Sequence, residues 1–304
     1  MIVKKSSTAI LSISVAAGLV MAAIPGMAIA DDGTADDALS TFRSVAPDYV
    51  ANAVAPETAL STSSDNAVAT VSDEAITIKS DSGTLSLVAP QETLGVEYQP
   101  VLMDGGSALI AIVIDSPAAG DVFEFQALTS DDSRAKVLED GSVVFTAADG
   151  TFKGGLATPW ARDSKGNDIP TRFEVTEANT VRQHVDLSSV PADAYPVVAD
   201  PWAGHDLVAS AWVTNQGGSQ YVVHAVPTSW GEFYRGIDTH YAHVAELKAK
   251  LGSLAYKVTA TIDNQFICHV NYGWLGGGAT YDMESWRDNI HWTLQGNPIT
   301  KCNP

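Results

Sequence analysis

Between about residues 67 and 203, hydrophobic and polar positions alternate with a period of two. Ile76 and Ile78 alternate with Thr77 and Lys79, and Leu85 and Leu87 with Thr84 and Ser86, while Ser80-Asp81-Ser82-Gly83 lies between the runs. Successive strand side chains point to opposite faces, so two such runs around a short polar stretch with Gly predict a β-hairpin. Leu109 to Ile114 is apolar throughout and predicts a strand buried on both faces. Val122-Phe123-Glu124-Phe125, Val143-Val144-Phe145 and Phe173-Glu174-Val175 follow as short strands. Between them lie Asp140-Gly141, Asp149-Gly150 and Lys165-Gly166-Asn167-Asp168, residue types that tolerate the positive φ of tight turns. Short strands at this spacing predict a β-rich module over 66–203, an antiparallel sandwich or barrel without a helix of ordinary length. Pro196 and Pro201 hold the backbone before them extended, so Ala194 to Trp202 reads as a last strand leaving the sheet.

Beyond residue 204 the pattern is mixed. Val208 to Val213 and Gln220 to Val226 predict strands around a turn at 215–219, and Pro227 ends the second. Ser229-x-x-Glu232 fits a capping box for a short helical turn. A firmer helix is predicted from about Thr239 to Leu251, where Tyr241, Val244, Leu247 and Leu251 share a face. Asp238 stands at its N-cap, Lys248 and Lys250 in its last turn, and Gly252 at its stop. Tyr256 to Ile262 and Phe266 to Tyr272 read as further strands around an Asp263-Asn264 turn. The expectation for 204–304 is a small α+β domain.

The N-terminal end reads differently. Lys4 and Lys5, the apolar or small run from Thr8 to Ile24, and Ala28-Ile29-Ala30 before Asp31 form a signal-peptide pattern over 1–30. Residues 31–65 are rich in Asp, Ala, Ser and Thr, with few large apolar side chains to offset the entropy of ordering. They are read as an acidic flexible arm, to which Leu39, Phe42 and Val45 add at most a helical turn or two.

Charge sharpens this division. Cleavage after Ala30 removes two lysines and takes the net charge from −19 to −21. Such acidity argues against nucleic acid, whose phosphates need a basic footprint, and against docking on anionic lipid. Residues 31–204 carry 28 acidic and 9 basic side chains, whereas 205–304 carry 8 and 6. Six of the seven Trp and six of the seven His lie at or beyond residue 202. This shift is read as a domain change near 204. Once the signal is removed, no membrane span is expected.

Candidate chemistry lies in the C-terminal part. Cys268 and Cys302 are the two cysteines, and in an exported chain such a pair is expected to form a disulfide. The alternative is a Cys268 nucleophile with His269, His224 or His291 as base; on a strand, Cys268 and His269 would point to opposite faces. His240-x-x-His243 with Glu246 offers metal-type atoms but lacks the i, i+4 zinc spacing, and no metal or other cofactor is implied. There is no Gly-x-Ser-x-Gly elbow, Walker loop or Gly-x-Gly-x-x-Gly. Carboxylate pairs such as Asp282 with Glu284 carry no separation that sequence can supply. The concentration of Trp and Tyr, residues favoured at binding surfaces, is the strongest functional signal. Trp274 beside the Gly276–Gly278 run, Trp286, Trp230 and Arg287 are the candidate binding residues.

Two stretches resemble known families. Tyr195-Pro196-Val197-Val198-Ala199-Asp200-Pro201, with Ala157 to Ala161 and the turn at 164–168, resembles the closing strand of a β-rich carrier segment in exported actinobacterial proteins. Val226 to Gly231, Gln265 to His269, Glu284-Ser285-Trp286-Arg287 and Lys301-Cys302-Asn303-Pro304 resemble an exported actinobacterial family, the domain of unknown function 2599. The resemblance implies a secreted or cell-envelope-associated protein and supplies no catalytic residues. The leading expectation is a non-enzymatic module that binds a cell-wall polymer or another secreted protein. The alternative is an exported hydrolase or antagonistic toxin, which would need His269, His224 or His291 to meet Asp282, Glu284 or Arg287.

Overall fold

The computed structural model describes residues 33–51, 53–54, 61–90, 94–130, 133–176, 179–273, 278–296 and 302–304. The signal-peptide stretch 1–30 and Trp274 therefore lie outside the described residues. Helix α1 (Gly33–Val45) leads into β1 (Ser61–Ser63), β2 (Ala67–Val71), β3 (Ala75–Ser80), β4 (Gly83–Val88), β5 (Val96–Met103), β6 (Ser107–Ile114), β7 (Val122–Thr129), β8 (Arg134–Val137) and β9 (Val143–Thr146). Next come β10 (Phe152–Leu156), β11 (Ala161–Asp163), β12 (Thr171–Val175), β13 (Thr180–Val185), β14 (Val197–Ala199) and β15 (Trp202–Gly204). The remainder carries β16 (Val208–Gly217), β17 (Gln220–Pro227), α2 (Ser229–Phe233), α3 (His240–Leu251), α4 (Ala260–Tyr272) and β18 (Tyr281–Glu284). Among these residues no helix is long and apolar enough to cross a membrane.

The strands up to β15 form two antiparallel sheets. One runs β1-β2-β3-β4-β7-β13-β12; the other runs β11-β14-β6-β15-β10-β9-β8, with β5 also on β6. The predicted hairpin is β3–β4, with Ser80 opposite Gly83. Ile76, Ile78, Leu85 and Leu87 from the first sheet meet Ile110, Ile112 and Ile114 from the second in one core. The alternate residues of β6, Leu109, Ala111 and Val113, enter a second core on the far side of their sheet. That parity is why the stretch is apolar at every position: β6 is the middle of three layers.

The third layer combines α1 with the C-terminal elements. Residues 33–45 are helical rather than a flexible arm, and Ala38, Phe42 and Ala46 recur every four residues to form a buried stripe against β5 and β6. Phe42 and Tyr49 both pack on Trp160, Tyr49 stacked at 3.9 Å. The stripe gives little signal in sequence because alanines flank its one large member, Phe42, and Ser40, Thr41, Arg43 and Ser44 lie between them.

The second core crosses the boundary expected near 204. It holds Trp202 and Val113 together with Trp230, Tyr234, Leu247 and Phe266. Trp230 lies against Gly204, where a Cβ would meet the indole at 2.4 Å, and donates its indole N–H to the Trp202 carbonyl at 3.3 Å. The Tyr234 ring stacks on Trp230 at 4.3 Å and its hydroxyl donates to the Val143 carbonyl. Helix α2 is capped by Thr228, whose hydroxyl accepts from Gly231 N–H, and not by Ser229 as predicted.

The strands predicted at 256–262 and 266–272 are replaced by a short 3-10 segment and by α4. Ile262, Phe266, His269 and Val270 fall on one helical face and are buried. The β-branched run Val258, Thr259, Thr261, Ile262 favours a strand locally, but burial of that face against β18 and α3 decides the outcome. Helix α3 ends at Gly252, at φ 55°, whose N–H reaches the Lys248 and Ala249 carbonyls.

Candidate functional site

Strands β16, β17 and β18 form a separate antiparallel sheet in that order. The β16–β17 turn is tight, with Gly217 opposite Gln220 and both Gly217 and Gly218 at positive φ. Alternation then sorts the side chains. Val223, Ala225, Tyr281 and Met283 face the helices and join the core. Trp212, Thr214, His224, Asp282 and Glu284 take the opposite parity and share the outer face.

Register brings three of these into line. His224 is directly opposite Trp212 on one side and Asp282 on the other, while Thr214 sits one diagonal step away, opposite Val222. His224 Nδ1 is 2.7 Å from Asp282 Oδ1, and His224 Nε2 is 3.0 Å from Thr214 Oγ1. A carboxylate can only accept, so it fixes the ring proton on Nδ1 and leaves Nε2 to accept from the Thr214 hydroxyl. The Trp212 indole lies parallel to the imidazole at 4.9 Å and 16°, with 44% of its own surface exposed. The result is a hydroxyl–imidazole–carboxylate array beneath an aromatic shelf, open to solvent.

The other candidates lie elsewhere. His224 meets a carboxylate, but His269 is on the opposite side of β18, buried and stacked on Tyr281 at 5.2 Å. Burial holds its pKa below the usual imidazole value against the opposing pull of the Asp282 carbonyl. Cys268 and His269 are neighbours on a helix, not a strand, and Cys268 is bonded to Cys302 with Cα atoms 5.5 Å apart. His291 bonds Thr293.

Glu284, Arg287 and the Cys302-Asn303-Pro304 segment form a bracket along the free edge of β18. Arg287 Nε donates to Glu284 Oε2, and its Nη1 reaches the Pro304 carbonyl at 3.5 Å. Asn303, with its amide nitrogen turned to the acceptors around it, donates to Asp282 O, Gln265 Oε1 and Cys302 O. Ser285 extends the pairing to Tyr221 through both its N–H and its hydroxyl. Within this bracket Asn303 holds the Asp282 carbonyl, and Arg287 holds the Glu284 carboxylate.

Among the binding candidates, Trp230 is wholly buried and presents no surface. Trp286 is 40% exposed in the turn that leaves β18. Thr214 carried no signal of its own in sequence, and Trp212 stood only as one aromatic among many. The hairpin turn at 217–220, combined with the bulge before it, is what sets Trp212 opposite His224.

The residues of the His240-x-x-His243 stripe are engaged separately. His243 Nε2 donates to the Tyr234 carbonyl at 2.7 Å, His240 bonds Asn271, and Glu246 accepts from Leu207 and Val208 N–H. Burial drives His243 down to about 4. Burial, with the Asp206 charge adding to it, raises Glu246 to about 7 against the pull of those N–H groups and Lys250. Asp206 itself is buried, yet bonds from His205, Ser64 and Asn66 N–H hold it below the usual carboxylate range. Among the described residues no cluster of three His, Cys, Asp or Glu side chains could hold a metal ion.

No known protein family, curated protein or solved structure matches the chain.

Proposed function

We propose that the protein is exported and binds an uncharged or amine-bearing carbohydrate polymer of the cell envelope across the outer face of β16–β18. The observation that carries this reading is the Trp212 indole, exposed yet held parallel to His224. An indole face packs against the C–H face of a sugar ring, and neighbouring carboxylates accept its hydroxyls. Asp282 and Glu284 supply those carboxylates on the same face. Trp286, 40% exposed in the turn that leaves β18, offers a second indole to the same polymer. The acidic chain disfavours a polyphosphate ligand. The Cys268–Cys302 bond suits an oxidising compartment, and the resemblance of 205–304 to exported domains points the same way.

The test is co-sedimentation of the full mature chain with isolated actinobacterial envelope, before and after protease and phosphate stripping. Retention on the stripped polysaccharide, lost in Trp212→Ala and weakened in Trp286→Ala, is the expected outcome. Binding that disappears with the envelope proteins, or survives unchanged in folded Trp212→Ala, overturns the reading. A hydrolytic reading is favoured by one separate observation, the contact of His224 with both Thr214 and Asp282.

A further inference from the structure

We infer that Thr214, His224 and Asp282 form a nucleophilic relay that cleaves an ester, with Thr214 Oγ1 as the attacking atom. Three observations carry it. The two contacts, 3.0 Å from Thr214 Oγ1 to His224 Nε2 and 2.7 Å from His224 Nδ1 to Asp282 Oδ1, join in series through opposite nitrogens of one ring. That is the order in which a hydroxyl is activated: base at the hydroxyl, orienting carboxylate behind the base. The imidazole is also clamped, since Trp212 stacks on one face and the three residues stand on paired strands rather than on loops. Finally, Thr214 is exposed, so an acyl carbon can reach Oγ1 from solvent.

The step balances without a further reactant than water. Thr214 Oγ1 bonds to the ester carbonyl carbon as its proton passes to His224 Nε2. The carbonyl–oxygen single bond to the alcohol then breaks, and the alcohol leaves with that proton. Water attacks the acyl-threonine, delivers its proton to the same Nε2, and Thr214 recovers it as the carboxylic acid departs. Asp282 keeps its charge throughout and stabilises the imidazolium. General-base assistance contributes about 10²- to 10⁴-fold, so esters, not amides, are the expected substrates, activated esters reacting fastest. An O-acyl group on a bound polysaccharide is the natural ester for this face, and that assignment alone rests on the polymer-binding reading.

The test uses the full mature chain and 4-nitrophenyl acetate, which needs no polymer. Release of 4-nitrophenolate is followed together with mass mapping of the acetylated peptide. Acetyl on the hydroxyl at position 214 is expected in the native protein and in Thr214→Ser. Thr214→Val should lose it, and His224→Gln and Asp282→Asn should slow its formation by at least about 10²-fold. Acetylation confined to lysines, or equal rates in native and Thr214→Val proteins of matching circular dichroism, overturns the relay. Thr214 acetylation without envelope retention refutes only the polymer reading, whereas envelope retention with Thr214 unmodified refutes only the relay. Should His224→Gln fail to fold, Asp282→Asn decides, through loss of the rate at unchanged melting temperature.

Discussion

Gln265 holds Glu284 by both ends of its amide: Nε2 donates to the Glu284 carbonyl at 3.0 Å, and Oε1 accepts from the Glu284 N–H at 2.8 Å. A helix side chain thereby takes the place of a neighbouring strand at the edge of β18. The device satisfies the outward backbone groups of Glu284, which an edge strand otherwise leaves open, two residues from Asp282 in its register with His224.

Removing that amide should be costly. In Gln265→Ala two backbone groups of a half-buried strand lose their partner, each worth about 1–3 kcal/mol when left unsatisfied. Urea denaturation is expected to show a loss of about 2 kcal/mol or more. Gln265→Glu, which can only accept once ionised, should lose most of the same stability at neutral pH and regain part of it on acidification.

The disulfide closes a sequence separation of 34 residues. Loop entropy alone then assigns it about 3–4 kcal/mol. The Cys268→Ser, Cys302→Ser double variant should unfold at correspondingly lower urea concentration. Ester turnover in the double variant should fall further than the folded fraction, because the bond anchors Asn303, which donates to the Asp282 carbonyl.

His243 and Glu246 should give the stability profile opposing slopes. The folded pKa of His243 is about 4, below its ordinary 6.5, so the unfolded chain binds more protons in between and stability falls as pH drops through that window. Glu246 sits at about 7 when folded against 4.5, so its contribution is present below pH 4.5 and is lost as pH rises through 7. Each is on the order of 3 kcal/mol, and between pH 4.5 and 6.5 they offset. Melting temperatures from pH 4 to 8 should lose the acid slope in His243→Gln and the alkaline slope in Glu246→Gln.

The shared core across residue 204 predicts cooperative unfolding. Trp230→Ala should cost about 3–5 kcal/mol, as for a fully buried aromatic, and should lower the transition of the sandwich along with that of the C-terminal elements. A Trp212→Ala protein should melt within about 1 kcal/mol of the native one. Separate transitions in a tryptophan-fluorescence and far-ultraviolet melt would contradict the shared core.

Strand patterning made the sandwich readable from sequence: the Ile76–Leu87 hairpin follows from local alternation, and the doubly buried β6 from an unbroken apolar run. Helix α4 did not, because its β-branched N-terminal half states a strand preference that only contact with β18 and α3 overrides. Helix α1 was hidden because its buried stripe has one large member, Phe42, between two alanines, in a stretch otherwise rich in Ser, Thr and Asp. At the site, His224 and Asp282 were each visible as candidates. Their contact was not, since β18 reaches β17 only after three helices have intervened. The Glu-x-Trp-Arg and Cys-Asn-Pro elements meet beside Asp282, Arg287 bonding Glu284 and Pro304 while Asn303 bonds the Asp282 carbonyl, a convergence that their 17-residue separation hid.

The stacking of Trp212 on His224 also equips the outer face with its own optical reporter. A protonated imidazole quenches an indole held against it, whereas the neutral ring does so far less. The emission that Trp212→Phe abolishes therefore reports on this one stack. The same signal should change when a sugar or an acyl group displaces water from that stack, which makes occupancy of the face measurable in an unlabelled protein.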